Sequence, residues 1–326
     1  MKKLIIISSV LIVFLLALVG CSSSGTPSTT KVDGAAGQSK KPKVTVVLKT
    51  LSSPYWKYVQ AGAQKAFKDF NVDGTVLGPA SESQVIEQVN MMEDALNQKP
   101  DALVVAPTQP TTTIPVLKKY KDKGIPVLLV DTDVANWADK TSFIGTDNYS
   151  AGKLGGEYLA SLLKQGDKVA LIAGALGNTA TDERMKGAKE VLEAKGMKVV
   201  ANQPADSDKA KAMSVMENIL QNFPDVKGVF CANDDMALGA SRAIDAKGLK
   251  IPIIGTDGNS DAISAILAGS MAGSVAQAPF DMGYKGVENA VKAIKGEKVE
   301  KRIDSGAKVI TKENGQKQLD FLKSLQ

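Results

Sequence analysis

From Val44 onward, short apolar runs alternate with longer stretches whose apolar residues recur at three- and four-residue spacing. Short runs bounded by turn residues predict buried strands, and the longer periodic stretches predict amphipathic helices. Strand candidates in the first half are VTVVLKT (44–50), GTVLG (74–78), DALVVAPT (101–108), IPVLLVDTD (125–133) and SFIGTD (142–147). After Gly166 the pattern begins again with KVALIAG (168–174), KVVANQPA (198–205), GVFCAND (228–234), IPIIGTDG (251–258) and GSVAQAP (273–279). Helix-like segments fall between them, among them 54–70, 81–98, 149–165, 181–195, 208–222 and 259–269. Such alternation builds parallel sheets covered by helices on both faces. Two successive sets predict an α/β protein of two doubly wound lobes.

Local signals sharpen the boundaries. Ser52-Ser53-Pro54 offers a hydroxyl cap and a first-turn proline, and Ser81 and Ser83 precede the helix holding Val85, Val89 and Met92. Residues 22–42, SSSGTPSTTKVDGAAGQSKKP, hold one large apolar side chain, Val32, and read as a flexible tether. Before them, Lys2-Lys3 and an apolar run from Leu4 to Val19 have the shape of a secretory signal over 1–20. LVGC (18–21) resembles a lipobox, which implies that Cys21 is lipidated and holds the chain at the membrane; an uncleaved anchor helix is the alternative. The other cysteine, Cys231, has no partner left and reads as small core filler.

Composition removes several functions. Lys2 and Lys3 supply two of the net +5 charges, and no basic stripe of the kind nucleic acid requires is present. The chain has no histidine, so the commonest general base and metal ligand are missing. Neither GxxxxGK[ST] nor a strand followed by GxGxxG occurs. No cofactor or metal is expected.

The strand ends carry the chemistry. They present Lys49-Thr50, Asp131-Thr132-Asp133 and Thr146-Asp147-Asn148 in the first set, and Asn233-Asp234, Asp257 and Gln277 in the second, with Arg184 near the start of a helix. Ligands of doubly wound sheets bind outside these carboxyl ends. Carboxylates accept hydrogen bonds, Lys and Arg donate them, and Asn and Gln do both, a mixture suited to a neutral, hydroxyl-rich ligand. In an extended strand Asp131 and Asp133 would project the same way, with Lys49 offsetting their repulsion. Tyr55 and Trp56 add a flat apolar surface.

LSSPYW (51–56), QPADSDKAKAMSVMENIL (203–220), FCANDDMALGA (230–240) and GTDG (255–258) resemble the ribose-binding-protein-like branch of bacterial sugar-binding proteins, which serve ABC importers. The resemblance covers about 44–310. It implies lobes of 44–146 plus 279–306 and 147–278 plus 307–326, joined by three crossovers with the ligand between them. The sugar contacts carried over are Ser53, Tyr55, Trp56, Asp131, Arg184, Asn233, Asp257 and Gln277. Departures are Thr132 in place of an arginine, Ser207 and Thr256 in place of closing aromatics, and Ala106 in place of an asparagine-like residue. Lys49 and Asp133 are additions, and the pair resembles branches that bind rhamnose or autoinducer-2, so ribose is not the expected ligand. The implied protein is a monomeric, lipid-anchored binder of a monosaccharide or polyol on the extracytoplasmic face, not an enzyme. It would deliver its ligand to an ABC permease. A sensor of the same fold is the alternative.

Overall fold

The computed structural model describes residues 40–325. The expected leader, Cys21 and most of the tether lie outside the described residues. The first sheet draws β1 (Lys43–Val47), β2 (Asp73–Leu77), β3 (Ala102–Val105), β4 (Val127–Val130) and β5 (Ser142–Gly145) from the first half of the chain. Helices α1 (Pro54–Asp69), α2 (Val85–Asn97) and α3 (Pro110–Asp122) lie between them. The second sheet begins after α4 (Asn148–Ser161), with β6 (Lys168–Ala173), α5 (Thr179–Ala194), β7 (Lys198–Pro204), α6 (Lys209–Asn222) and β8 (Val226–Cys231). It continues through α7 (Asp234–Ala246), β9 (Ile253–Asp257), α8 (Ser260–Ala268) and β10 (Gly273–Ala276). The chain ends with α9 (Pro279–Ile294), β11 (Arg302–Asp304), β12 (Lys308–Ile310) and α10 (Gly315–Ser324).

The sheet orders are β11-β5-β4-β3-β1-β2 and β12-β10-β9-β8-β6-β7. Neighbours are parallel except β10 and β12. This is the expected α/β architecture of two parallel-dominated sheets, one per lobe. The chain passes between sheets after Gly145, after Ala276 and between Asp304 and Lys308. Two of these crossings touch: the Thr146 and Ser305 hydroxyls are 3.0 Å apart, and Thr146 Oγ1 donates to the Gly306 carbonyl at 3.3 Å.

Strand periodicity explains the covered faces. Val44, Val46, Val104, Leu128 and Val130 join α1 and α9 in one buried cluster. Val47, Leu103, Val105, Val127 and Leu129 join α2 and α3 in another on the opposite face. Successive side chains point to opposite faces, so a run of consecutive apolar residues fills both layers. Cys231 is buried in the second lobe's core, and burial pushes its thiol up, which suits filler rather than chemistry.

The helix starts differ from expectation in two places. Ser53 is the residue before α1, but its hydroxyl makes no cap; it donates across the lobes to Asp235 Oδ2 at 2.7 Å. Helix α2 begins only at Val85, and Ser81 and Ser83 pair with each other instead of capping it.

Candidate functional site

The carboxyl ends of both sheets face one small cavity. Lys49, Ser53, Tyr55, Trp56, Glu82 and Asp131 line it from the first lobe, and Ala180, Thr181, Arg184, Ser207, Asn233 and Asp257 from the second. The structure thus brings eight of the ten expected residues to one cavity. Gln277 stands behind it, with its Nε2 donating to Asp257 Oδ1 at 2.8 Å.

The first-lobe wall is built around Asp131. Lys49 Nζ lies 2.9 Å from Asp131 Oδ2, Tyr55 OH donates to Oδ1 at 2.8 Å, and Thr132 Oγ1 donates to Oδ2 at 2.7 Å. Burial alone would push this carboxyl up; the Lys49 ammonium and the Arg184 guanidinium more than offset it and hold Asp131 below the usual carboxylate value. Lys49 is itself fixed from behind. The buried Gln88 amide donates to the Leu48 and Ala106 carbonyls and accepts from Thr108 N and Oγ1, tying the ends of β1 and β3 together.

Asp133 does not belong to this cluster. β4 ends at Val130, and Asp131 turns to φ 63° while the Thr132 N–H donates to the Val130 carbonyl at 2.6 Å. That three-residue turn breaks the alternation that would have put both carboxylates on one side. Asp133 instead pairs with Lys140 at 2.7 Å and lines a separate pocket with Asp147, Glu183 and Arg302. The expected Lys49–Asp131–Asp133 cluster is therefore a Lys49–Asp131 pair.

The aromatic pair also differs from a flat platform. Tyr55 and Trp56 are buried with ring centroids 5.0 Å apart and planes at 87°, so they form no continuous surface. Trp56 carries the Lys49 ammonium 5.4 Å from its ring and donates Nε1 to Glu82 Oε1 at 2.7 Å. Glu82 was missing from the expected set; its signal was available, since it follows β2 at the same end of the sheet.

On the second lobe, Arg184 is anchored by Nε to Asn148 Oδ1 at 2.9 Å and by Nη1 to the Ala232 carbonyl at 3.0 Å. Its contact with Asp257 Oδ1 is long, 3.5 Å. Burial pushes the Asp257 carboxyl well above its ordinary value, and the partial compensation by Arg184 does not restore it. Asp257 also sits at φ 132°, a backbone region that disfavours side-chain-bearing residues. Asn233 caps α7, accepting from Met236 N at 2.9 Å, and lines the cavity as well. The Ser207 hydroxyl and Gln277 Oε1 are buried without a partner among the described residues. Cross-lobe bonds at Ser53–Asp235 and from Thr179 Oγ1 to the Asp133 carbonyl, 3.3 Å, hold the cleft closed.

Such a cavity can seat a small neutral molecule by many directed hydrogen bonds. Among the described residues no three acidic, His or Cys side chains are grouped to hold a metal ion. A sequence profile of the periplasmic binding protein domain matches residues 44–298. The chain belongs to this family. The ribose import binding protein of Haemophilus influenzae is 34% identical over 277 residues, 85% of this chain and 94% of that protein. The D-allose-binding periplasmic protein of Escherichia coli is 36% identical over 265 residues, 78% of this chain and 85% of that one. An ABC transporter solute-binding protein from Agrobacterium vitis, solved with bound D-fucose, superposes with a TM-score of 0.81 at 34% identity, covering 83% of this chain and 96% of its own.

Proposed function

We propose that this periplasmic binding protein is the extracytoplasmic receptor of an ABC-type sugar importer, capturing a monosaccharide or polyol between its lobes. The observation that carries the reading is the cavity itself: two sheets converge on one small space lined with carboxylates, amide and cations, and with Asp257 incompletely partnered. Relatives that bind ribose, allose and fucose support the ligand class. The action is binding and release. Ligand draws the lobes together about the crossovers, and the closed form is what the permease receives.

The finer reading assigns Lys49, Ser53, Tyr55, Trp56, Asp131, Arg184, Asn233, Asp257 and Gln277 to the ligand, in a monomer tethered through lipidated Cys21. A thermal-shift screen with D-ribose, D-allose, D-fucose, xylitol and myo-inositol tests the ligand class, since a ligand bound only by the folded state raises Tm. At least one should raise it; a flat response to all of them refutes the sugar reading. For the anchor, Cys21→Ala should move the protein from the membrane to the soluble fraction, and retention at the membrane argues against lipidation there.

A further inference from the structure

Glu82 lies in the loop between β2 and α2, where the small cavity meets a wider outer groove. That groove is lined by Thr50, Ser52, Ser53, Ser207, Asp235 and others, and Glu82 lines both, so it stands at the boundary between the two spaces. Three carboxylates border the cavity, and they are not equally served. Asp131 has Lys49 at 2.9 Å and two hydroxyl donors, and Asp257 has Gln277 and Arg184. Glu82 has only the Trp56 indole N–H, taken by Oε1. Its Oε2 accepts no hydrogen bond, and no Lys or Arg nitrogen comes within the 4.0 Å of an ion pair, among the described residues.

We propose that Glu82 is a further ligand-binding residue, its Oε2 accepting a hydrogen bond from one hydroxyl of a neutral polyhydroxylated ligand. Glu82 is only partly buried and borders the cavity, so the donor its Oε2 finds there in the absence of ligand is solvent, and a ligand hydroxyl can take that place. The indole bond fixes the carboxylate before the ligand arrives, so little side-chain freedom is lost on binding. With Asp257 presented from the opposite lobe, two acceptors on facing walls require hydroxyls at both ends of the ligand. Burial, only partly offset by Lys49 and the Trp56 bond, raises the Glu82 carboxyl above its usual value, which fits a group that gains from an added donor. This inference rests on the sugar-receptor reading.

The test is calorimetric titration of wild type, Glu82→Gln, Glu82→Ala and Trp56→Phe with D-ribose, D-allose, D-fucose, xylitol and myo-inositol. Glutamine can still accept from the Trp56 indole through its carbonyl but replaces the second oxygen with a donor. Glu82→Gln should therefore weaken the tightest-binding compound at least tenfold, and more than Trp56→Phe does. A matched analogue lacking the contacted hydroxyl should bind wild type and Glu82→Gln alike. If Glu82→Gln binds as tightly as wild type or tighter, while Glu82→Ala and Trp56→Phe are weakened equally, Glu82 merely holds Trp56 and the inference is overturned. Should Glu82→Ala fail to fold, the Gln variant alone decides. Absence of any heat with wild type across all five compounds defeats the sugar reading instead, and this inference with it.

Discussion

Asp131 and Asp257 occupy matching places in the two lobes. Asp257 ends, and Asp131 immediately follows, the strand that is third in its sheet order, β9 in one and β4 in the other, and each carries a positive φ. Their surroundings are opposite. Asp131 receives Lys49, Tyr55 and Thr132 and is held ionised, whereas Asp257 has one short bond, from Gln277, and a long contact with Arg184. One lobe thus presents a finished ion pair, the other an acceptor still short of donors. A shared topology fixes where a carboxylate stands, and its neighbours decide whether it serves the protein or waits for a ligand.

Breaking the finished side should cost most. Lys49→Ala leaves Asp131 buried without its cation, and severing a buried pair from one side costs about 3–5 kcal/mol. Urea unfolding should show that loss, with part recovered in Lys49→Ala/Asp131→Asn; a loss under about 1 kcal/mol would mean that Tyr55 and Thr132 suffice. Asp257→Ala should leave the fold intact and weaken sugar binding by ~2–3 kcal/mol, on the order of a hundredfold, as for a lost charge-assisted bond. Unchanged affinity in titration would remove Asp257 from the site.

The two sides should also respond oppositely to pH. Behind Asp257, Asp234 accepts from Asn259 N at 2.9 Å and Ser274 Oγ at 2.6 Å, yet burial pushes its carboxyl up to about 7. The folded state therefore holds that proton more tightly than the unfolded chain, whose Asp titrates near ~3.9. The resulting stability is full below about pH 4 and lost as pH rises toward 7. Asp131, shifted downward, contributes above about pH 4 and loses its contribution under acid. Thermal melts of the unliganded protein should show a decline between about pH 4 and 7 that is flatter in Asp234→Asn; an equal slope would place the titration elsewhere.

The smallest effect belongs to Asp133. Its partner Lys140 is partly solvent-exposed, and such pairs contribute up to about 1 kcal/mol. Asp133→Asn should leave sugar affinity unchanged in titration, and a tenfold loss would return it to the site.

Much of this was legible in the residues. The apolar runs from Val44 and Lys168 mark the central strands because both faces of each sheet are covered, and polar residues could gather only where those runs stop. What could not be read was direction. The alternation rule placed Asp133 beside Asp131, but it holds only while the strand lasts, and the turn at Asp131 ends it. Ser53 carries a capping residue's signature, yet its hydroxyl has a partner 182 positions away in Asp235, a pairing no local rule foresees. Glu82 follows β2, an edge strand with a weak apolar run, so the sequence pattern marks that strand end less sharply than the ends of the central strands.

The linked crossings have a mechanical consequence. Thr146 is bonded to Ser305 and Gly306, so two of the three strips joining the lobes are fastened side by side. A lone strip can bend, twist and slide; strips fastened abreast resist twisting and sliding far more than bending. Opening by a bend of the fastened pair is thereby easier than opening by a twist, as for a lid on a strap hinge.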